Sequence, residues 1–593
     1  MSIIDFAKRS YRFVKRHINP PIDDFPIDAW TDASYASWFD RHTASSEELD
    51  YQRGHAEDFP YKPVFSFIVP LYKTPLDYLR VMADSVLGQT YPHLQLILVN
   101  SSPELPDLVA EVERYREADS RVTVVSLEEN LGITENTNRG IDVATGDFCC
   151  FLDHDDYIDA NLLFEYVAAL NEDPEIDVLY CDEDLVRFDE KRRQFIHQNP
   201  FIKPAFSPEL LLCRNYIVHL MTIRRSIIEA MPTPDARYDG SQDYNMVLYA
   251  SHAARKVHGV QKVLYHWRIS DTSTATNPDS KPYSLRSCRL AIAGQLARRE
   301  IDASIIGTGL YLVHNEWFTK DPSRTVSVVV DCSSTSEYAD RFVEAFQQGS
   351  SLDFSQLVLV DYPGDRHLSI GCDVSYVDTD PMASTGARFN AGARDAMGEY
   401  LVFLDAGCIL TTPEPLEQLV QMCAVQGVGI SSPKVLYRNG KNKALGVAVT
   451  AERIMPMYRG YDDDFPGYQC NLRTFQNVSA VGFQGLTVPR SLFKEVGMFD
   501  ERFEGEAGAV DLCIRIREAG HRLVAMPTVK LEVAETCPVK CFDCETNAPD
   551  YIESDLVLFD EKHPGLRMKG DPYLNRNLDQ ASSYCQIPKE LND

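Results

Sequence analysis

The sequence predicts two consecutive α/β domains, each built on a mostly parallel, doubly wound β-sheet. Apolar segments typical of buried strands alternate with segments of helical spacing, first from Phe65 onward and again after Thr325. Both runs contain a helix followed by an apolar strand that ends in Phe-Leu-Asp. The length of 593 residues supports the same division, because single cores stop growing near about 250–300 residues.

The first half contains four predicted strands separated by helices. The strands are FSFIVPLY (65–72), LQLILVN (94–100), RVTVVSL (121–127) and DFCCFLD (147–153). The helices between them are predicted at 76–89, 109–118 and 135–145. Ligands of parallel sheets bind at the carboxyl ends of the strands, so the acidic residues just after the fourth strand are the first candidates for a site.

The second half repeats this layout as an internal duplication of a whole domain. Strands at 326–332 and 356–365 match the first two strands, and the segment 385–408 matches the segment 132–156. The predicted division is a lead-in at 1–63, a first domain at 64–300, a linker at 301–324, a second domain at 325–545 and an irregular C-terminal tail at 546–593.

The amino-acid composition limits the cellular compartment and the classes of partner that we expect. The formal net charge of −30 repels phosphate backbones, so we expect no nucleic-acid partner; it also favours solubility. The sequence contains an odd number of cysteines, 15, and we find neither a signal peptide nor an apolar stretch of about 20 residues. We therefore expect a cytoplasmic protein with free thiols.

Residues 1–18 are basic, in contrast to the rest of the chain. They carry five basic side chains and one acidic one, beside apolar residues at helical spacing. A basic amphipathic helix of this kind binds anionic membrane surfaces, which predicts a peripheral position at the inner face of the plasma membrane. The alternative is a helix docked on its own domain.

The strongest chemical feature is the cluster Asp153-His154-Asp155-Asp156. Sugar transfer from a nucleotide diphosphate requires charge compensation of the leaving diphosphate and deprotonation of the acceptor hydroxyl. Mg²⁺ or Mn²⁺ bound by oxygen ligands meets the first requirement, and carboxylates at a strand end can hold it. The alternative is an acidic loop that caps the following helix.

Two later segments add candidate residues. Gln242 and Asp243 follow a glycine turn and precede a helix, where a carboxylate can act as a general base or as a helix cap. His266 is a candidate metal ligand, although a histidine beside Trp267 is also typical of a packed structural residue.

Six segments in the first half together resemble family 2 of the inverting glycosyltransferases, which have the GT-A fold. They are Ile68–Pro92, Glu129–Asp156, Val178–Val186, Phe201–Leu220, Asp239–Leu248 and Val263–Arg268. The subgroup that the chain resembles most is the long, two-domain enzymes that build bacterial O-antigen, rhamnan and capsule-type polysaccharides. The fold class implied is therefore two tandem GT-A domains.

The resemblance implies a role for each matching position. Asp153 contacts the nucleotide ribose, Asp155 binds the metal, His266 supports the metal and the diphosphate, and Asp243 is the catalytic base. We include Asp153 with Asp155 and His266 in the implied metal site. The implied donor-binding residues are Pro70, Tyr72, Asn100, Ser101, Asn138, Arg139, Asp153, Gln242 and Trp267.

One departure from the family concerns the second strand, which usually ends in two aspartates. Here the strand ends in Asn100-Ser101-Ser102, so base recognition is expected to rest on neutral hydrogen bonds. The donor nucleotide therefore stays open between UDP, dTDP and GDP.

The second half resembles the same family but lacks the chemical positions. Only Asp405 remains of the acidic cluster, and Gly508 and Ala509 replace the acidic pair expected before Asp511. The histidine after the last strand aligns near Val533. These losses predict an inactive domain that binds acceptor glycan or organises the protein. The alternative is a transferase without this metal site that uses Glu504 or Glu506 as its base.

The function predicted is metal-dependent inverting transfer of a sugar to a growing bacterial surface polysaccharide or its lipid-linked precursor. The subgroup suggests rhamnose as the sugar. The alternatives are a bifunctional enzyme with two active domains and a non-catalytic glycan-binding scaffold. A nucleotidyltransferase is disfavoured, because Pro70–Tyr78 contains no glycine-rich phosphate loop. Cys537, Cys541 and Cys544 are either zinc ligands or free thiols.

Overall fold

The computed structural model describes residues 32–269, 284–333, 336–349, 355–368, 370–535, 551–586 and 588. These residues form two compact units. The first contains the chain up to Arg299 with Gly309–Leu312, and the second contains Glu300–Thr308 with Val313–Gln586. The basic segment 1–18 and the cysteines at 537, 541 and 544 lie outside the described residues.

The first unit alternates strands and helices as the sequence predicts. Its strands are β1 (Phe65–Leu71), β2 (Leu94–Asn100), β3 (Val122–Ser126), β4 (Phe148–Phe151), β5 (Tyr157–Ile158), β6 (Ile176–Asp189), β7 (Gln194–Phe201), β8 (Met221–Arg224) and β9 (Lys256–Arg268). Its helices are α1 (Asp32–His42), α2 (Ser46–His55), α3 (Leu76–Leu87), α4 (Pro106–Ala118), α5 (Ile133–Ile141), α6 (Leu162–Glu172), α7 (Pro208–Cys213), α8 (Arg225–Ala230), α9 (Gln242–Ala253) and α10 (Ser284–Arg298).

The nine strands of the first unit form one sheet in the order β3-β2-β1-β4-β8-β6-β9-β5, with β7 paired to β6. The pairs β3-β2, β2-β1, β1-β4 and β6-β9 are parallel, whereas β5, β7 and β8 run antiparallel to their neighbours. The strands β1 and β2 are almost wholly buried, as their continuous apolar runs predict. The carboxyl ends of β1, β2 and β4 consequently lie at one edge of the sheet.

The second unit repeats this arrangement with a ten-stranded sheet. The strands of this sheet are β12 (Val326–Asp331), β13 (Ser355–Val360), β14 (Asp373–Val377), β15 (Tyr400–Asp405), β16 (Ile409–Leu410), β17 (Val428–Tyr437), β18 (Asn442–Ala444), β21 (Gln476–Asn477), β22 (Leu486–Pro489) and β23 (Arg522–Val533). Their order is β14-β13-β12-β15-β22-β17-β23-β16, with β18 paired to β17 and β21 paired to β23.

Two small antiparallel pairs and six helices complete the second unit. The pairs are β10 (Ala303–Gly307) with β11 (His314–Phe318), and β19 (Val447–Val449) with β20 (Ile454–Pro456). The helices are α11 (Ala339–Gly349), α12 (Thr385–Asp395), α13 (Pro415–Cys423), α14 (Arg490–Glu495), α15 (Ala507–Glu518) and α16 (Glu553–Lys562). The predicted linker thus contains a β-hairpin, and the predicted irregular tail contains a helix.

Both units use a glycine to bring a helix close to the first strand. A Cβ atom at Gly140 in α5 would collide with Ile68 of β1, and one at Gly392 in α12 would collide with Val329 of β12. The structure confirms the predicted fold class of two consecutive α/β domains, each built on a mostly parallel sheet. Among the described residues, no helix combines the length and the apolar character that crossing a membrane requires.

Candidate functional site

The acidic cluster after β4 lies opposite a histidine that the sequence analysis left without a role. Strand β8 runs antiparallel to β4, with Phe151 opposite Met221. This register places His219, two residues before Met221, beside Asp153, the second residue after Phe151. His219 Nε2 lies 3.7 Å from Asp153 Oδ2.

His219 connects two carboxylates and is held by aromatic rings. Its Nδ1 atom lies 3.4 Å from Glu183 Oε2, and its ring stacks on Tyr265 with the centroids 4.6 Å apart. Burial lowers the pKa of His219, but the charges of Glu183 and Asp153 outweigh it and raise the pKa to about 10. The imidazole is therefore a cation at neutral pH. The Trp267 ring lies 5.3 Å from it, which places this predicted donor-binding residue at the same edge.

A buried lysine fixes Glu183 beneath the site. Lys203 Nζ donates hydrogen bonds to Glu183 Oε2 at 2.8 Å and to the backbone oxygens of Ile217 and His219, each at 2.6 Å. The Lys203 side chain has no exposed area, and 4% of the Glu183 side chain is exposed. The three donors of one ammonium group thus position the chain on both sides of His219.

The carboxylates of the acidic cluster are in different environments. Asp156 is fully buried and accepts hydrogen bonds from the Tyr265 hydroxyl and, at 2.8 Å, from the backbone N–H of Arg268. Burial raises the pKa of Asp156, and the charges of Asp155 and Asp153 add to the rise. Burial also raises the pKa of Asp155, with a further contribution from Asp153. The three carboxylates repel one another, and a bound cation would relieve that repulsion.

The residues at this edge fit a divalent cation. Potential ligand atoms of Asp153, Asp156 and His219 all lie within 4.8 Å of one another, but the His219 imidazolium would have to lose its proton before it could bind a metal, so the carboxylates are the ligands available at neutral pH. Asp155 precedes Asp156 in the same loop and is not part of this group. Carboxylate oxygens are the ligands that Mg²⁺ prefers, so the donor set suits the predicted ion.

His266, the predicted metal ligand, lies in a different cluster. Its Nδ1 atom is 2.7 Å from Asp184 Oδ1 and its Nε2 atom is 3.2 Å from Asp159 Oδ1. Burial lowers its pKa, but Asp184 and Asp159 outweigh that and raise it to about 10. His197 Nδ1 and the Tyr35 hydroxyl, 2.8 and 2.7 Å away, bind the other oxygen of Asp184.

The alternation of side chains along a strand explains this separation. Glu183 and Asp184 are consecutive in β6 and therefore face opposite sides of the sheet, as Tyr265 and His266 do in β9. The parallel register pairs Glu183 with Tyr265 and Asp184 with His266. The side with Glu183 and Tyr265 carries His219, and the other side forms the cluster of His266. The structure brings Asp153 together with His219 and not with His266.

Asp243, the predicted base, lies in the first turn of α9. Its Oδ2 atom accepts a hydrogen bond of 2.9 Å from Asn215 Nδ2. Burial raises the pKa of Asp243, the charge of Asp153 adds to the rise, and the charge of His219 opposes it. A carboxylate with a raised pKa is a stronger proton acceptor, which suits a general base. Gln242 beside it accepts a hydrogen bond of 2.9 Å from the backbone N–H of Gly240.

The predicted nucleotide-binding positions surround the ends of β1 and β2. Pro70 lies in β1, and Tyr72 follows it with 44% of its surface exposed. The Ser101 hydroxyl donates a 2.8 Å hydrogen bond to the backbone oxygen of Leu71, and Asn100 Oδ1 accepts one of 3.0 Å from the backbone N–H two residues later. Neutral hydrogen bonds therefore join these two loops.

Asn138 and Arg139 occupy different faces of α5. Asn138 is buried and donates a 3.0 Å hydrogen bond to the backbone oxygen of Pro234. Arg139 is half exposed and pairs with Glu135 at 2.7 Å on the same helix. In the structure, Asn138 supports the loop before α9, and Arg139 faces away from that contact.

The second unit carries a neutral counterpart of this site. The register of β15 with β22 pairs Phe403 with Leu486, so Gln484 occupies the position that His219 has in the first unit. Gln484 Nε2 donates to Asp405 Oδ2 at 2.6 Å, and Gln484 Oε1 accepts from the Asp405 backbone N–H at 3.1 Å. Cys408 replaces Asp156. The registers of β5 with β9 and of β16 with β23 place Glu532 at the His266 position, one residue before the predicted Val533.

The other acidic residues of the second unit have separate environments. Asp511 is buried and paired with His563 at 2.9 Å, Arg515 at 2.7 Å and Lys562 at 2.7 Å, which ties α16 to α15. Glu506 Oε2 accepts a 3.1 Å hydrogen bond from the backbone N–H of Phe483, and burial raises its pKa. Asp511 therefore supports the fold.

The cysteines that the structure describes are all free, as predicted. Cys585 is buried, and its Sγ atom lies 3.6 Å from the Tyr458 hydroxyl.

Comparison with known proteins identifies the first domain. Residues 66–231 match the model of glycosyl transferase family 2. The chain is 26% identical to the uncharacterized protein y4gI of Sinorhizobium fredii, over 79% of this chain and 53% of that protein. It is 24% identical to the O-antigen biosynthesis protein RfbC of Myxococcus xanthus, over 97% of this chain and 44% of that protein.

The chain spans about half the length of these two relatives. The putative glycosyltransferase EpsH of Bacillus subtilis is 28% identical, over 44% of this chain and 80% of that protein. Among solved structures, S. aureus TarS 1–349 in complex with UDP matches 39% of this chain and 65% of its own, with 22% identity and a TM-score of 0.31.

Proposed function

The chain carries a glycosyl transferase family 2 domain, and we propose that it is a metal-dependent inverting glycosyltransferase. The donor would be a nucleotide diphosphate sugar. The acceptor would be a growing bacterial surface polysaccharide or its lipid-linked precursor, a class that the name of the Myxococcus relative, an O-antigen biosynthesis protein, supports. Rhamnose is the first sugar to test.

The observation that carries the proposal is the cluster of carboxylates Asp153, Asp155 and Asp156 after β4, whose mutual repulsion raises the pKa values of Asp155 and Asp156 beyond the effect of burial, with the His219 cation beside Asp153. Asp153 and Asp155 would hold Mg²⁺ or Mn²⁺, with Asp156 fixing the loop through Tyr265. When bound, the ion compensates the charge of the leaving diphosphate. His219 supplies a second positive charge beside Asp153.

Asp243 would act as the general base. The charges of Asp153 and His219 both act on its pKa, which supports this role, and Asn215 donates a hydrogen bond to its carboxylate. It would accept the proton of the acceptor hydroxyl as the oxygen attacks the anomeric carbon from the face opposite the diphosphate. Attack from that face inverts the anomeric configuration.

For the second unit, we propose a role without catalysis, as a domain that binds acceptor glycan or organises the protein. Gln484 and Asp405 satisfy each other, and the positions of Asp156 and His266 hold Cys408 and Glu532. A divalent ion would have to break the hydrogen bonds of Asp405 without gaining the ligands that the first unit offers.

The decisive experiment measures nucleotide diphosphate release from UDP, dTDP and GDP sugars, first with Mg²⁺ or Mn²⁺ and then with EDTA. We expect nucleotide diphosphate release from one of these donors. Both EDTA and the substitution Asp155→Ala should abolish that release. The control is Asp405→Ala, which changes a carboxylate of the second unit. Release that continues in EDTA, or in Asp155→Ala, would contradict the metal assignment. The absence of release and of donor binding across the panel would favour a glycan-binding scaffold.

A further inference from the structure

Arg268, the last residue of β9, is a buried cation. Only 4% of its surface is exposed. Its guanidinium carbon lies 4.1 Å from the ring centroid of Tyr78 and 4.9 Å from that of Phe195. Within the described part of the chain, its Nε and Nη2 atoms have no hydrogen-bond partner. Arginine does not lose its proton in proteins, so this positive charge calls for an anion.

The carboxylate of Asp156, which binds the backbone of Arg268, does not provide that anion. Asp156 uses one oxygen for the Tyr265 hydroxyl and the other for the backbone N–H of Arg268. Among the described residues, no ion pair joins the Arg268 guanidinium to a carboxylate. The charge of Arg268 does act on Asp155, where it lowers the pKa against the larger effect of burial. The Arg268 charge therefore acts on the predicted metal ligand, while its Nε–H and Nη2–H groups have no hydrogen-bond partner among the described residues.

A second unpartnered polar group lies near the same helix start. Thr74 is 3% exposed, and its hydroxyl has no partner within the described residues. Thr74 immediately precedes the N-cap of α3, Pro75, which provides no side-chain cap. Tyr78, the ring that stacks on Arg268, belongs to the first turn of α3. A helix N-terminus carries partial positive charge and exposes backbone N–H groups to anions.

We propose that Arg268, together with Thr74 at the N-terminus of α3, binds the diphosphate of the sugar donor. This inference rests on the proposed function and adds a fixed cation to its site. Nε and Nη2 lie on one edge of the planar guanidinium and can donate two parallel hydrogen bonds to a phosphate group. The rings of Tyr78 and Phe195, 4.1 and 4.9 Å from the guanidinium carbon, limit its movement before a ligand binds.

Arg268 would then act when the bond between the anomeric carbon and the diphosphate oxygen breaks. The bonding electrons pass to the diphosphate, whose added negative charge strengthens its hydrogen bonds to the guanidinium. The acceptor oxygen forms the new bond to the anomeric carbon, and Asp243 takes the proton. Arg268 neither gains nor loses a proton in this step.

The test uses the full chain and inorganic pyrophosphate with Mg²⁺, measured by calorimetry and by thermal unfolding. We expect Arg268→Gln to unfold at the same or a higher temperature than the parent without ligand, because it removes an uncompensated buried charge. Its pyrophosphate Kd should rise roughly 10- to 100-fold, as expected for losing a charge-assisted hydrogen-bond pair. Arg268→Lys should recover part of the affinity, because it keeps the charge without the fork.

The matched control is Arg224→Gln. Arg224 also stacks on a ring, 4.6 Å from the centroid of Phe148, but its guanidinium is paired with Asp177 at 2.6 Å. Arg224→Gln should therefore lower the melting temperature and leave pyrophosphate binding unchanged, which is the opposite pattern to Arg268→Gln.

Two outcomes would overturn the inference. One is a pyrophosphate Kd in Arg268→Gln within about twofold of the parent value. The other is a competition experiment in which pyrophosphate displaces the acceptor and not the nucleoside diphosphate. If pyrophosphate binds through Arg268 while no sugar nucleotide is turned over, the phosphate site stands and the proposed transferase activity fails. The two conclusions are thus separately testable.

Discussion

Replacement of Lys203 by methionine tests the buried charge network beneath the site. Lys203 has no exposed side-chain area, and it is the hydrogen-bond donor that compensates Glu183 together with His219. Removing one partner of a buried ion pair leaves the other charge uncompensated, which typically costs about 3–5 kcal/mol. His219 remains 3.4 Å from Glu183, so we expect Lys203→Met to lower the free energy of unfolding by about 3 kcal/mol.

Urea unfolding of the full chain, followed by tryptophan fluorescence, measures this loss. The double variant Lys203→Met/Glu183→Gln should recover at least half of it, because no unpaired buried charge remains. The matched control is Lys434→Met, which removes a buried lysine of the second unit that lies 3.0 Å from Asp463. Each single variant should shift the transition of its own unit. A Lys203→Met loss below about 1 kcal/mol, or no recovery in the double variant, would refute the reasoning.

Three further predictions follow from the same contacts. Asp243→Asn should lower kcat roughly 10²–10⁴-fold with little change in donor KM. In the parent, kcat should fall as the pH is lowered, and the midpoint of this fall should lie above the usual pKa range of carboxylates. The reason is that burial raises the pKa of Asp243 and the protonated acid cannot act as a base. Asp153→Ala should abolish nucleotide diphosphate release, whereas Asp405→Ala, at the corresponding position of the second unit, should keep release within about twofold of the parent. Burial raises the pKa of Asp177, but two arginines outweigh it and lower the pKa to about 2. This carboxylate therefore stabilises the fold above its unfolded pKa of about 3.9. Asp177→Asn should cost about 2 kcal/mol at neutral pH in urea unfolding, a difference that disappears as the pH falls toward 2.

The first parallel strands of both sheets were predictable because buried parallel strands are continuous apolar runs. The second predicted strand, Leu94–Asn100, has the bounds that the structure shows, and Phe65–Tyr72 differs from β1 by one residue. The C-terminal region was not predictable in this way. The helix Glu553–Lys562 is tied to the second unit by charge pairs, since Lys562 and His563 bind Asp511, and such pairs leave no apolar period in the sequence.

Only those residues of the candidate site that their sequence neighbours identify could be predicted. Asp153 and Asp155 follow an apolar strand, and Asp243 follows a glycine turn, so each could be found from its neighbours in the sequence. His219 was contained in a matching segment but had no role, because its contact with Asp153 depends on the antiparallel register of β4 with β8. Likewise, His266 lies one residue from Tyr265, and only the register of β9 with β6 decides which of the two faces His219.

The two units keep the same strand contact at this edge with different charges. In the first unit His219 is a cation held between Asp153 and Glu183, and these are the charges on which the proposed metal and donor would act. In the second unit the uncharged Gln484 amide donates one hydrogen bond to the Asp405 carboxylate and accepts one from the Asp405 backbone N–H. The Gln484 amide thus keeps the contact between β15 and β22 and adds no charge of its own. The strand contact and the charge are therefore separable at this edge. Gln484→His alone should not create metal binding in the second unit, because Gly407 and Cys408 occupy the positions of Asp155 and Asp156.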